Sequence, residues 1–147
     1  MPNVVSHFMN VFPSLILRSP FHAVMSQKYA IIEFTGRKTG RQYHTPIAYV
    51  RDGDRILIST DSPWWRNLSG GAPVRMRLCG RMVSGIAVPV TDPARATAIL
   101  RRLVDRIPSY ARPAGLVRQG EKVSDGEIAR AVSEGRISIE IHLEIAQ

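Results

Sequence analysis

The last stretch of the chain alternates without a break. Ile137, Ile139, Ile141, Leu143 and Ile145 fall on one side, and Ser138, Glu140, His142 and Glu144 on the other. Successive side chains of an extended strand point to opposite faces, so this pattern predicts an antiparallel strand with one buried and one wet side. Such a strand needs partners, and the chain supplies them. Tyr29 to Phe34 is rich in β-formers, Gln42 to Arg51 reads as a second strand, and Asp52-Gly53-Asp54 turns the chain back into Arg55 to Thr60. Val74 to Cys79 and Met82 to Val90 read as two more, parted by Gly80-Arg81, with Gly85 as an expected bulge. Short strands joined by tight turns, with no regular alternation of strand and helix, predict a mainly β, mostly antiparallel barrel with peripheral helices.

Helical signals flank these strands. Val4, Phe8, Val11, Phe12 and Leu15 recur at helical spacing, so Val4 to Leu17 reads as an amphipathic helix that Pro13 bends or ends. A second short helix opens at Ser19 with Pro20 in its first position. These apolar faces suit covering the barrel, a subunit interface or a membrane surface, and the choice stays open. Thr91 or Asp92 caps a helix that starts at Pro93, runs to about Arg106 and is stopped by Pro108. Ser124-Asp125-Gly126-Glu127 is a capping box for another, ending near Gly135. A chain of 147 residues fits one domain. At that size about 68–70% of the unfolded surface can be buried. Residues 1–27 then form an N-terminal helical segment, and 91–135 a helical insertion before the last strand.

Charge is distributed unevenly. The net charge is +8, and residues 1–90 hold 11 basic against 4 acidic residues, while 91–147 hold 9 against 8. An anionic ligand on the first part of the chain suits that imbalance. The single cysteine, Cys79, cannot form an internal disulfide, and no Cys/His cluster has zinc spacing, so no metal is expected. A cytoplasmic setting follows from reduced thiol chemistry and from the lack of a secretory signal or an apolar run of about 18 residues. Peripheral membrane association remains the alternative.

Three groups of residues carry candidate chemistry. Thr35-Gly36-Arg37-Lys38-Thr39-Gly40-Arg41 combines two glycines with three cations and two hydroxyls. Glycines let a backbone turn tightly and expose N–H groups, which is how an anion nest is built. A solvated hairpin tip has the same composition, and spacing alone leaves the two balanced. In Pro63-Trp64-Trp65-Arg66-Asn67-Leu68, two adjacent tryptophans on a short helical turn cannot face one core. Trp64 suits the core, whereas Arg66 and Asn67 suit a ligand, since neither fits an apolar interior unpaired. Arg75, Arg77 and Arg81 form a basic stripe, either a plain solvated face or a holder for an acidic tail.

Taken together, the Thr35 to Arg41 turn, Thr45-Pro46, an Asp-Gly turn and Trp64 to Leu68 closely resemble the deazaflavin (F420)-dependent nitroreductase and quinone reductase family. The order and spacing match from Ile31 to Val90, with Pro108-Ser109-Tyr110 and the last strand similar beyond it. The resemblance implies a split β-barrel of the flavin-binding superfamily and coenzyme F420, a deazaflavin with a phosphate and an oligoglutamate tail, with FMN as the alternative cofactor. It further implies that Arg37, Lys38, Thr39 and Arg41 contact phosphate and tail, and that Thr45 and Pro46 line the ring edge. Thr60, with Ser59, would face the deazaflavin, and Trp65, Arg66, Asn67 and Leu68 would close the pocket. Tyr110 falls where the family places a tyrosine over the substrate. Tyr43 stands where many members carry an arginine, and Gly70-Gly71-Ala72-Pro73 replaces the family's Ala-Asn-Pro.

The activity so implied is hydride transfer from reduced F420 to a quinone, enone or nitro compound. Hydride addition leaves negative charge on the acceptor, so a donor is needed nearby. Tyr110 is the first candidate for that proton source and His44 the second. The partner is then a small-molecule substrate, with monomer and homodimer both open. A lipid- or flavin-binding module without catalysis is the rival reading. Nucleic acid is not expected, because the charge follows the turn motif and no stacking-aromatic sheet pattern is present.

Overall fold

The computed structural model describes residues 28–144 other than Cys79 and Glu121. The helices expected at Val4 to Leu17 and after Ser19 lie outside the described residues, as does Ile145. The strands are β1 (Tyr29–Thr35), β2 (Gln42–Ala48), β3 (Val50–Asp52), β4 (Arg55–Thr60), β5 (Ala72–Leu78), β6 (Arg81–Val90), β7 (Arg118–Gln119), β8 (Lys122–Val123) and β9 (Ile137–Leu143). Two α-helices, α1 (Pro93–Arg106) and α2 (Asp125–Ser133), lie between β6 and β9, together with the short β7–β8 ribbon. Two 3-10 helical turns cover Pro63–Leu68 and Pro108–Ala111.

Seven strands form one antiparallel sheet in the order β2-β1-β5-β6-β9-β4-β3. Its two edge strands, β2 and β3, are separated in the chain only by Tyr49. Covalent continuity therefore draws the two edges together, and the sheet curls into a split barrel. Sequence patterning predicts one strand from Gln42 to Arg51. The structure divides it at Tyr49 instead, where the backbone N–H turns to donate to the Lys28 carbonyl at 2.9 Å. The first half pairs with β1 and the second with β4.

Alternation along the strands fills the two sides of the curled sheet differently. Ile32, Phe34, Ile56, Ile58, Met76, Ile139 and Ile141 pack inside, fully enclosed. Burying an aliphatic or phenyl side chain of this kind contributes roughly 1.5–3 kcal/mol. On the outer side, Ala48, Val50 and Leu57 meet α1 through Ile99, Leu100, Leu103 and Val104. Those residues recur at helical spacing and give α1 a single apolar stripe. Asp92 caps α1 by accepting from the Ala94 N–H at 3.4 Å, and Pro93 opens it.

Two expectations are corrected by the packing. Gly85 is not a bulge, because the registers of β5 with β6 and of β6 with β9 run through it unbroken. Its need for glycine is spatial: a Cβ there would lie 2.6 Å from the His142 carbonyl oxygen. The polar face of β9 is also not fully wet. Ser138 is buried and donates its hydroxyl to the Ala96 carbonyl at 3.1 Å, while Glu140 is held by Arg95 at 2.6 Å and Arg55 at 3.4 Å. The helix α1 lies over that face, which the alternation within β9 could not reveal.

The capping box of α2 forms by half. Ser124 accepts from the Glu127 N–H at 3.1 Å, but the Glu127 carboxylate turns to Arg130 at 2.7 Å and to the Val117 N–H at 2.7 Å. The Arg130 hydrogen bond, then the Val117 amide, hold the Glu127 carboxyl down at about 2. A carboxylate with a depressed folded pKa stabilises the protein above its unfolded pKa and loses that effect as pH falls through the folded value. Acid titration should therefore weaken the protein between about pH 4.5 and 2. Glu127→Gln should be less stable than wild type at neutral pH, and the gap in urea midpoint should close near pH 2. A gap independent of pH would refute this role.

Candidate functional site

The turn between β1 and β2 is built from two internal hydrogen bonds. The Gly36 N–H donates to the Arg41 carbonyl at 2.7 Å, and the Gly40 N–H to the Gly36 carbonyl at 2.8 Å. Gly40 adopts a φ of 73°, which favours glycine. Gly36 is required for space, since a Cβ there would come within 2.7 Å of the Tyr43 ring. Tyr43 thus packs over the turn, stacked on Phe34 at 5.7 Å. Phe34 in turn stacks on Trp64 at 5.1 Å. This aromatic series ties the turn to the Pro63–Leu68 helical turn through the barrel interior.

A direct bond joins the two segments as well. The Arg37 N–H donates to Asn67 Oδ1 at 3.0 Å, and Asn67 Nδ2 donates to the Trp64 carbonyl at 2.9 Å. Asn67 is therefore a brace, with its amide committed on both sides. Leu68 and Trp64 are buried and anchor the turn in the core, while Trp65 is half-buried with the Arg66 guanidinium 5.9 Å from its ring centre. The Arg41 N–H uses Thr39 Oγ1 at 3.3 Å. Among the described residues this leaves the N–H groups of Lys38 and Thr39 without a protein acceptor, so the nest is narrower than the glycines suggest.

What remains is strongly cationic. Arg37, Lys38, Arg41 and Arg66 are exposed, and none has a carboxylate partner among the described residues. Arg75 of the basic stripe, by contrast, is neutralised by Glu33 at 2.9 Å. The hollow beside it also contains Glu33 and Glu144, which disfavours an acidic tail there.

The remaining candidates divide between the two sides of the sheet. Thr45 and Thr60 share the inner face with Ile47 and Ile58, and both are buried. Thr60 Oγ1 accepts from the Ser62 N–H at 3.0 Å, shaping the entry to the Pro63–Leu68 turn. Pro46, His44 and Ser59 alternate to the outer face, so neither Thr45 with Pro46 nor Ser59 with Thr60 presents both side chains to one side. His44 lies 3.7 Å from Glu33, with its imidazole about half exposed. Ser59 and Tyr110 sit beneath the helical layer, where the Tyr110 hydroxyl donates to the Ser59 carbonyl at 3.1 Å. Burial pushes the Tyr110 hydroxyl above its ordinary range, against the lowering influence of Arg136. His44 and Tyr110 thus have separate partners and do not form a pair.

Sequence reading missed Arg136. It is buried, and its guanidinium donates to Ser59 Oγ at 3.1 Å, the Tyr110 hydroxyl at 2.9 Å and the Ala114 carbonyl at 3.3 Å. The only local signal was a lone arginine between Gly135 and the strongly apolar face of β9.

A curled antiparallel sheet of seven strands with a cationic glycine turn at one end defines a split-barrel protein. The family model described as F420H(2)-dependent quinone reductase matches residues 21–120, and the chain belongs to that family. This places it among oxidoreductases that use coenzyme F420. An F420-H2 dependent reductase shares the fold with a TM-score of 0.53 and 12% identity, over 78% of this chain and 94% of that one. A FAD-binding protein from Mesorhizobium loti gives 0.52 and 12%, over 86% and 91%. The FAD and heme binding protein from Mycobacterium smegmatis gives 0.49 and 21%, over 83% of this chain, which spans 64% of that protein's length. No helix among the described residues is long and apolar enough to cross a membrane.

The donor set can be tested against F420. An acidic phosphate and oligoglutamate tail needs cations that are not already paired and amides that are not already bonded. Arg37, Lys38, Arg41 and Arg66, without carboxylate partners among the described residues, and the Lys38 and Thr39 amides supply both, so the residues present fit the acidic end of the cofactor.

Proposed function

We propose that the protein transfers a hydride from reduced F420 to a small organic acceptor, a quinone in the first instance, with enones and nitro compounds as related acceptors. The observation that carries this reading is a set of exposed cations, Arg37, Lys38, Arg41 and Arg66, that have no carboxylate partner among the described residues and lie on two segments braced by Asn67. When bound, reduced F420 supplies the hydride.

The chain's own residues bind, orient and hold a proton. Arg37, Lys38 and Arg41, with Thr39, hold phosphate and tail. Trp65 offers a ring face beside Arg66, while Asn67 and Leu68 keep that turn in place. Thr45 and Thr60 border the cofactor from the inner face, and Pro46 and Ser59 support them from the outer side. Tyr110 is the first proton source: its phenol is protonated at neutral pH as any tyrosine is, and burial holds that proton more tightly. His44, half exposed beside Glu33, is the second proton carrier.

Titration with F420, followed by its fluorescence, should give saturable binding that FMN does not match. Turnover with menadione should then consume reduced F420. Absence of binding at micromolar F420 removes the enzyme reading, and bound lipid in native mass spectra without turnover favours a carrier.

A further inference from the structure

Arg136 stands between α2 and β9 and is only 7% exposed. Removing a guanidinium from water costs several kcal/mol unless good partners replace the solvent, and an apolar residue fills the same volume more cheaply. Here the fork engages three segments at once: Ser59 at the end of β4, Tyr110 in the 108–111 turn, and the Ala114 carbonyl beyond it. Its Nη2 also lies 3.6 Å from the Asp61 carboxylate, which is largely exposed. No other carboxylate among the described residues pairs with it. Ser59 and Asp61 bracket Thr60, and Ser62, whose N–H bonds Thr60 Oγ1, leads directly into the Pro63–Leu68 turn.

We infer that Arg136 is a positioning residue for cofactor binding, gripping Ser59 and Asp61 from beneath so that Thr60 and the turn carrying Trp65 and Asn67 are presented in one arrangement. The inference rests on the reading above, in which those residues border F420. A planar fork suits the task because one rigid group reaches several acceptors in fixed directions, which an ammonium cannot reproduce. Tyr110 completes the latch: its hydroxyl accepts from Arg136 and donates to the Ser59 carbonyl, closing a ring of hydrogen bonds around one residue.

The test uses the full chain with Arg136→Met, Arg136→Lys and Asp61→Asn, each compared with wild type for F420 binding and for KM and kcat. Folded Arg136→Met should bind F420 about tenfold more weakly. Its KM for reduced F420 should rise in step, and kcat should fall as well, because Tyr110 loses the donor that holds its hydroxyl. Arg136→Lys should recover part of the affinity, and Asp61→Asn, a change at an exposed site, should lose about threefold. Tyrosinate absorbance reads the contact without cofactor: loss of the nearby cation should move the Tyr110 titration to still higher pH.

If Arg136→Met fails to fold, Arg136→Lys and Asp61→Asn decide, and wild-type affinity in both overturns the inference. Wild-type affinity in a folded Arg136→Met protein overturns it as well. A wild-type protein that binds no F420 overturns the functional reading itself, so the two failures are distinguishable.

Discussion

Replacing Gly85 by valine is expected to lower stability by about 3–5 kcal/mol, a large fraction of the roughly 5–15 kcal/mol that holds a domain of this kind together. The reason is a backbone contact. The added Cβ would lie 2.6 Å from the His142 carbonyl oxygen and 3.0 Å from Ile141 Cγ2. A flexible side chain can swing away from such an intruder, but a strand backbone cannot without opening the ladder. Gly85 pairs with both Val74 and Leu143, so β6 is held on each side where the clash occurs. Gly85→Ala should show an intermediate loss, because the Cβ alone produces the contact. Urea unfolding measures the effect, and Ser84→Ala, next along the strand, serves as the control. A Gly85→Val midpoint equal to wild type would show that β6 and β9 are not packed in this register.

The double variant Arg37→Ala/Arg41→Ala is expected to bind F420 about a hundredfold more weakly. Hydrogen bonds to charged groups are worth about 1.5–3 kcal/mol each, and exposure to solvent brings two such contacts toward the lower end of that range. The fold of the turn should survive, because the Arg37 bond to Asn67 uses the backbone N–H and not the guanidinium. Wild-type affinity should fall with added salt, and the variant should respond less steeply. The decisive control is Arg77→Ala/Arg81→Ala, which removes the same two charges from exposed positions around the β5–β6 turn. Equal losses in the two double variants would assign the effect to net charge and remove the turn from the site.

The two expectations differ in how far the sequence could anticipate them. The cations of the Gly36 to Arg41 turn lie within six residues, and the resemblance carried by three further motifs points to their ligand class from sequence alone. Structure added the brace at Asn67, the ring of Tyr43 over Gly36, and the commitment of four of the turn's N–H groups to the protein itself. Gly85 was visible as an anomaly within a strand, but its cause was misread. A bulge and a close approach look alike until the neighbouring strand is known.

Local chemistry explains the division. Strand alternation, the caps at Asp92 and Ser124, and the proline-led turns depend on interactions between residues a few positions apart, so the sequence by itself determined a mainly antiparallel barrel with peripheral helices and a cationic turn. Tertiary structure decided the rest. The break at Tyr49 depends on which strand each half meets, and the covering of Ser138 and Glu140 depends on where α1 comes to lie. The grip of Arg136 on Ser59 joins residues 77 positions apart. No periodicity encodes such a meeting, because it exists only once the β4–β9 ladder and the 108–111 turn have packed around the same point.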